Sequence, residues 1–386
     1  MNINIVEWRE IVCIGCGLVG RDFVEIAKRY KHLISIEYFL DNNYLGDFCG
    51  YDCKKMSKDL CLKKKIVVCI SNEAFANQIY MQLQSYGLEL NTDFLGYGDF
   101  IHYLLRIPDD NRLKISFKNF WPSFDDTVFN VFMMQYLEYI IDDNRPDVEI
   151  SSVFSRGDED TNAVRICFSG ENIRPDFNTF DYFIGFDYIE NNDRYLRWPL
   201  YYLSRYSYKK ALIKHQHPDD SFYERDFCSV VVSNGNCAFR NHVHDLLNSY
   251  KTVKSGGKYK NNLPNSKPVS DKISFIKKYK FNLAMENEEY PGYVTEKIID
   301  AWAAGCIPIY WGSERIYDEF QKGSFINVSD FRNEKDLLEY IEFVDSNSKE
   351  ANAMLSTPIF KGQYENPYIK FCEFIVNAYK EGKSQL

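Results

Sequence analysis

Glu286, Asn287, Tyr293, Thr295, Glu296 and Lys297 fall within one short stretch of the chain, a set of carboxylates, an amide, hydroxyls and a cation held between two apolar runs. The stretch reads as strand (Phe281 to Met285), loop with Pro291 and Gly292, helix, and a second strand from Cys306 to Trp311. Thr295 is placed to cap the helix, Glu296 to sit in its first turn and Gly305 to end it. Lys297 shares that first turn. A cation there opposes the helix dipole and is a poor choice for stability unless an anion is also bound. The plainer alternative is a capped βαβ unit with one solvated lysine. A further carboxylate, Glu171, follows the apolar run Val164 to Phe168 and a glycine, so it should project from a strand's C-terminal end into the interdomain crevice, where open parallel sheets bind ligands. Its alternative role is a cap or first-turn acid.

Metal chemistry is not expected. His215 and His217 stand two apart with no acidic or cysteine partner, and Asp158-Glu-Asp160 is the nearest imitation of a diphosphate-bridging Asp-x-Asp. The eleven cysteines are odd in number and scattered, and Met1 to Glu10 lacks an apolar signal core, so reduced thiols in a cytoplasmic protein are expected. Cys13 and Cys16 form an isolated Cys-x-x-Cys without a second pair. A net charge of −9 excludes a general nucleic-acid binder. Nine lysines and one acid between Lys251 and Lys280 form a local basic stretch, suited to a phosphate-rich ligand, to anionic lipid at the inner face of a membrane, or simply to solvent. No run reaches the ~18 apolar residues of a membrane span.

The elements that must position these groups are α/β throughout. Residues 1–110 read as a Rossmann-like unit: strand Ile11 to Ile14, the turn Gly15-x-Gly17-x-x-Gly20, a helix from Arg21 to Tyr30, strand Ile36 to Leu40 and then Asp41, where a ribose-binding acid belongs in a dinucleotide fold. A charged linker, Pro108 to Lys114, precedes a second α/β domain over 115–222, with strands at Ile115 to Trp121 and Val164 to Phe168 and a helix across Thr127 to Ile141. A third domain, 223–330, opens at the strand Phe227 to Ser233, and helices at Glu334 to Val344 and Pro367 to Tyr379 lie in a closing block, 331–386.

The motif running from Phe281 through Glu286-Asn287, Tyr293, Thr295-Glu-Lys-Ile298 and Ile307-Pro-Ile-Tyr-Trp-Gly312 closely resembles the donor-binding motif of the α1,3-fucosyltransferases of glycosyltransferase family 10. Two upstream blocks extend the resemblance: Phe168 to Phe177 with Asp181 to Asp187 and Asp193 to Pro199, and then Phe227 to Asn234 with Arg240 and Ser255-Gly-Gly257. It covers roughly residues 115 to 330. The resemblance implies GT-B architecture, two facing Rossmann-like domains, here preceded by the N-terminal one, with the last helices closing over the cleft. It implies a bacterial-type enzyme moving fucose from GDP-fucose to the 3-hydroxyl of N-acetylglucosamine in a lactosamine-type oligosaccharide, with α1,4 linkage open, of the kind that builds Lewis-type lipopolysaccharide or capsule glycans. Glu171 matches its general base, Arg240 and Lys297 its diphosphate contacts, and Asn287 and Tyr293 its donor contacts; Glu296 takes ribose hydroxyls or places charge near the developing cation. No cofactor is required beyond the co-substrate.

Three other readings fit the same residues: a transferase using another nucleotide sugar; NAD or another nucleotide held by Gly15, Gly17, Gly20 and Asp41 in a fused oxidoreductase or sensing module; and a module of residues 1–110 that recruits glycan-assembly proteins.

Overall fold

A computed structural model describes residues 3, 5–121, 124–155, 162–190, 192–213, 220–362 and 365–385. It is mixed α/β with parallel sheets and divides into two compact units, one of residues 1–168, 177–182 and 366–386, the other of 169–176 and 183–365.

In the first unit β1 (Glu10–Ile14) is buried at every position after Glu10 and sits centrally, as its uninterrupted apolar run requires. It pairs in parallel with β2 (Ser35–Asp41), and β3 (Gly46–Phe48) and β4 (Tyr51–Lys55) extend that edge, the β3–β4 pair alone being antiparallel. β5 (Lys65–Val68) and β6 (Phe94–Gly96) complete the order β3-β4-β2-β1-β5-β6. Gly15, at φ +111°, turns the chain from β1 into the helix Leu18–Arg29, and a Cβ on Gly20 would lie 2.3 Å from the Gly15 carbonyl oxygen. Both glycines are therefore demanded by the turn itself.

The same unit contains four further parallel strands, β7 (Leu113–Lys118), β8 (Tyr139–Ile141), β9 (Val148–Ser152) and β10 (Val164–Phe168), in the order β10-β9-β7-β8. The sequence suggested one helix from Thr127 to Ile141. It ends at Tyr136, Leu137 turns extended (φ −135°, ψ 135°), and Tyr139–Ile141 pairs with Leu113–Ile115 as strand. Two consecutive isoleucines, β-branched and buried, fit a strand better than a helix end. The C-terminal helix Pro367–Gln385 packs here, with Phe371 5.2 Å from Phe132, ring centre to ring centre.

In the second unit, Phe183–Gly185 of β11 (Tyr182–Gly185) pair in parallel with β12 (Tyr195–Arg197). Its main sheet is β13 (Asp226–Val230), β14 (Val253–Ser255), β15 (Tyr279–Met285), β16 (Ile307–Trp311) and β17 (Ile326–Asn327), all parallel and ordered β14-β13-β15-β16-β17. β15 is central, and Phe281, Leu283 and Met285 join one core cluster with Val243, Leu247 and Ile341 from the covering helices. Each such side chain contributes about 1.5–3 kcal/mol by leaving water, which fixes the strand end from which the motif loop departs. The helices Glu334–Ser346 and Ser348–Ser356 also belong to this unit.

Candidate active site

β15 delivers Glu286 to the C-terminal edge of its sheet, where the residue is 0% exposed. A carboxylate in such a place needs partners for its charge and its lone pairs. It has them: the Thr295 amide donates to Oε1 at 2.7 Å, and the Thr295 hydroxyl and the Lys297 ammonium donate to Oε2 at 2.7 and 2.8 Å. The loop between is shaped for this. Gly292 stands at φ +83°, and a Cβ there would lie 2.4 Å from the Phe186 carbonyl oxygen. Gly312 lies against the Glu286 stem, with a hypothetical Cβ 2.6 Å from Glu286 Cγ and 2.7 Å from the Tyr310 hydroxyl. Gly312→Ala is expected to lower stability by about 1–3 kcal/mol, the usual cost of overpacking, and a thermal melt beside wild type measures it.

Two expectations about this helix change. Thr295 does occupy the N-cap position of Glu296–Ala303, but its side chain makes no cap bond; its hydroxyl is committed to Glu286 and accepts from Lys297 at 2.8 Å. The anion that compensates Lys297 is supplied first by the protein, as Glu286. Lys297 then leads into a line of alternating charges: its ammonium lies 4.0 Å from Glu296, Glu296 lies 3.5 Å from Lys272, and Lys272 lies 2.7 Å from Asp300. Burial favours the neutral form of Lys297, but Glu286 and Glu296 outweigh it and hold the group charged. Burial likewise opposes ionisation of Glu296, yet Lys297 and Lys272 push its pKa down to about 2. The stabilisation that follows is present above the ordinary glutamate value and lost as pH falls through about 2.

Glu171 lies in the segment 169–176, which belongs to the same unit. No helix begins there, so the residue is neither a cap nor a first-turn acid. The segment is tied down on both sides of it. The Ser169 hydroxyl and the Ile173 amide both donate to the Glu171 carbonyl at 2.7 Å, Asn172 donates to Glu288 at 2.6 Å, and Arg174 pairs with Asp187 while stacking 3.5 Å over the Tyr290 ring. The Glu171 side chain stays exposed. Partial loss of hydration raises its pKa, Lys297 pulls it down and Glu288 pushes it up, with a net upward shift. Tyr293 is 3% exposed, edge-on to Phe186 at 5.1 Å, and feels the charges of Glu286, Lys297 and Glu171, while Asn287 bonds to its hydroxyl. Glu171, Asn287, Tyr293, Glu296 and Lys297 are thus gathered around the start of one helix.

Arg240 reaches the same edge from the helix Ala238–Tyr250. It is 2% exposed, and among the described residues its guanidinium donates to carbonyl oxygens only, Met285 at 3.4 Å and Asn234 at 2.6 Å, with Nε unpartnered. A buried guanidinium without a carboxylate is costly unless an anion joins it. Arg197 differs: it donates to Glu319 at 2.6 Å, which also accepts from Tyr201 at 2.6 Å and Tyr188 at 3.1 Å. Glu319 thus gives Arg197 the counter-charge that Arg240 lacks among the described residues.

Gly15, Gly17, Gly20 and Asp41 lie in the first unit. Asp41 is already engaged there: Oδ2 accepts from the Cys16 amide at 2.9 Å, and Oδ1 from the amides of Asn43 and Tyr44 at 2.7 and 3.2 Å. The carboxylate braces its own loop with three of its roughly four acceptor positions. Cys16 faces Cys53 at 3.2 Å between sulfurs, and all eleven cysteines are free thiols. His215, His217 and the run Asp158 to Asp160 lie outside the described residues. Among the described residues no three His, Cys, Asp or Glu side chains cluster as metal ligands, and no helix is long and apolar enough to cross a membrane.

A parallel sheet whose C-terminal edge carries a helix N-terminus and a buried guanidinium bonded only to carbonyl oxygens among the described residues is suited to bind an anionic ligand there. The model of the glycosyltransferase family 10 (fucosyltransferase) C-terminal region matches residues 223–355, and that of the α-(1,3)-fucosyltransferase FucT N-terminal domain matches 115–204. Over 237 residues the chain is 40% identical to an α-(1,3)-fucosyltransferase of Helicobacter pylori, covering 53% of this chain and 48% of that one. A Bos taurus 3-galactosyl-N-acetylglucosaminide 4-α-L-fucosyltransferase is 34% identical over 122 residues, 30% of this chain and 32% of that one. The chain thus spans about half or less of the length of these relatives. A crystal structure of an α1,3-fucosyltransferase with GDP-fucose superposes with a TM-score of 0.58 at 30% identity, covering 70% of this chain and 90% of that one. The chain belongs to glycosyltransferase family 10, the fucosyltransferases.

Proposed function

We propose that the chain transfers L-fucose from GDP-β-L-fucose to the 3-hydroxyl of an N-acetylglucosamine in a lactosamine-type glycan, inverting the donor's linkage in one displacement without a metal. The observation that carries this is Arg240, a buried cation lacking a carboxylate at the edge where Lys297 and the helix N-terminus also lie. The names of the relatives from Helicobacter pylori and of the superposed crystal structure support donor and linkage.

Glu171 takes the proton of the incoming hydroxyl as its oxygen bonds to the anomeric carbon, and the bond to the diphosphate breaks on the opposite face. The raised pKa of Glu171 suits a base that must hold that proton. The departing GDP gains charge beside Arg240 and the amides opening the helix Glu296–Ala303. Lys297 has three ammonium hydrogens; Glu286 and Thr295 take two, which leaves one for a phosphate oxygen. Asn287 and Tyr293 line the donor loop. Glu296, held ionised, accepts from ribose hydroxyls or faces the developing sugar cation.

The test is linkage analysis of the product from GDP-fucose and N-acetyllactosamine with chelator present. An α1,3-fucosylated product supports the reading; no transfer or GDP-fucose hydrolysis overturns it. An α1,4 product is the second reading, favoured by the name of the Bos taurus relative. Arg240→Ala is expected to lower kcat/KM for GDP-fucose by about 10²-fold, the scale of one lost anion-stabilising donor, measured under initial-rate conditions. A nucleotide such as NAD at Gly15, Gly17, Gly20 and Asp41 remains a lesser proposal, since Asp41 is already bound. We place the enzyme in the cytoplasm; Lys251 and Lys280 pair with Asp345, Lys260 with Asp245 and Lys272 with Asp300, so contact of the basic stretch with a membrane's inner face or with glycan-assembly proteins falls to its remaining lysines.

A further inference from the structure

Four residues after Arg240, on the same face of its helix, stands His244. It is 9% exposed, and like Arg240 it leaves one buried nitrogen without a partner: Nε2 in the histidine, Nε in the arginine. Both side chains line one small cavity of about 10 Å³, which Ser255, Asn241, Tyr259 and Lys260 also line, enough for a single water.

The three polar groups are complementary. Arg240 Nε–H can only donate. His244 Nδ1 lies 3.0 Å from the Asp245 carboxylate, which accepts, so Nδ1 carries the hydrogen and the Nδ1–H tautomer presents Nε2 as an acceptor. The Ser255 hydroxyl hydrogen is spent on the Tyr259 carbonyl at 2.7 Å, so its oxygen also accepts. One water would accept from Arg240 and donate to His244 and Ser255, making the three bonds usual for a buried water.

We propose that His244 is a positioning residue for donor binding: through a water in this cavity it fixes the Nε side of Arg240, leaving the guanidinium aimed at the donor diphosphate. The inference rests on the role given to Arg240 above. It takes Arg240 out of a set of interchangeable cations and makes its direction depend on a side chain that never touches the donor.

The full-length chain and its His244→Leu variant are compared for KM and kcat with GDP-fucose and for GDP affinity by calorimetry. Leucine fills the cavity and removes the acceptor. KM and the GDP dissociation constant are expected to rise about ten-fold, the size of one lost bond to a charged group, with kcat within about two-fold. His244→Gln, which keeps an acceptor, restores most of the affinity. In an Arg240→Ala background His244→Leu adds less than about two-fold, because the two act as one unit. Unchanged KM in His244→Leu, or equal and additive losses in the Arg240→Ala background, would overturn the proposal while leaving the donor assignment intact. Wild type that binds neither GDP nor GDP-fucose would overturn the donor assignment itself. Should His244→Leu not fold, His244→Asn, too short to reach the water, is expected to give the same rise in KM, and its failure to do so counts equally against the proposal.

Discussion

Glu171→Gln is expected to lower kcat by about 10³-fold, within the range of a lost general base, while the GDP dissociation constant stays within about two-fold of wild type. The amide keeps the shape and cannot take the proton of the incoming hydroxyl. Initial rates with saturating acceptor, set beside calorimetric GDP binding, check both halves. A kcat within ten-fold of wild type would remove Glu171 from the role of base. The pH profile carries a second signature. Loss of hydration raises the Glu171 pKa against the pull of Lys297, with Glu288 adding to the rise, so the acid limb of kcat should lie above the usual glutamate value. The sign for stability is opposite to that of an ion-paired carboxylate. A group whose folded pKa is raised binds its proton more tightly when folded, so it costs stability as pH climbs through that pKa. Glu171→Gln should therefore be inactive and at least as heat-stable as wild type at pH 7, with the difference vanishing toward acid pH.

Glu286→Gln should do the reverse. Here the carboxylate is fully buried, accepts three hydrogen bonds and neutralises an ammonium. Glutamine has one oxygen to accept with, and it leaves Lys297 only the more distant Glu296, at 4.0 Å, as counter-charge. Breaking a buried pair from one side costs about 3–5 kcal/mol. For a cooperative unit the size of residues 169–176 and 183–365 each kcal/mol moves the thermal midpoint by about 2–4 °C, so a fall of roughly 10 °C in that unit's transition is expected by calorimetry. Donor affinity should fall too, because Lys297 and the amides that open the helix lose their anchor. The double variant Glu286→Gln/Lys297→Met separates the two effects: it removes the stranded charge, so stability should recover while activity does not. If the single variant melts with wild type, the buried pair is not what holds the helix start in place.

The contrast between these two glutamates also marks what could be read from the sequence. Strand β15, the helix after it and Gly305 as its terminator follow from apolar runs and helix signals, and Gly305 does adopt φ +71°. Glu171 and Lys297 stood out as a carboxylate after a strand and a cation at the wrong end of a dipole. Glu286 belongs to the same motif, but its grip comes from Thr295 and Lys297 folding back onto it, a contact that spacing along the chain does not express. The misfit of Lys297 suggests a bound anion, and the partner the structure supplies is the protein's own Glu286. Lys272, which closes the charge line through Glu296, lies in a basic run where it looks like any other lysine. The helix bearing Arg240 and His244 carries mixed polarity and was passed over. Thr127 to Ile141 misled because a buried helix and a buried strand share the same apolar composition, and only the pairing with β7 separates them. In the first unit the glycine turn was legible, whereas the occupation of Asp41 by its own loop was not.

The packing of Gly312 against the Glu286 stem has a consequence for how this site can change over generations. The two positions are distant along the chain yet share one volume, so their substitutions are coupled: a side chain at 312 presses on the Glu286 stem and the Tyr310 hydroxyl, and a smaller residue at 286 gives up the clamp on Lys297. A mutational library that varies the two together should find their stability effects non-additive.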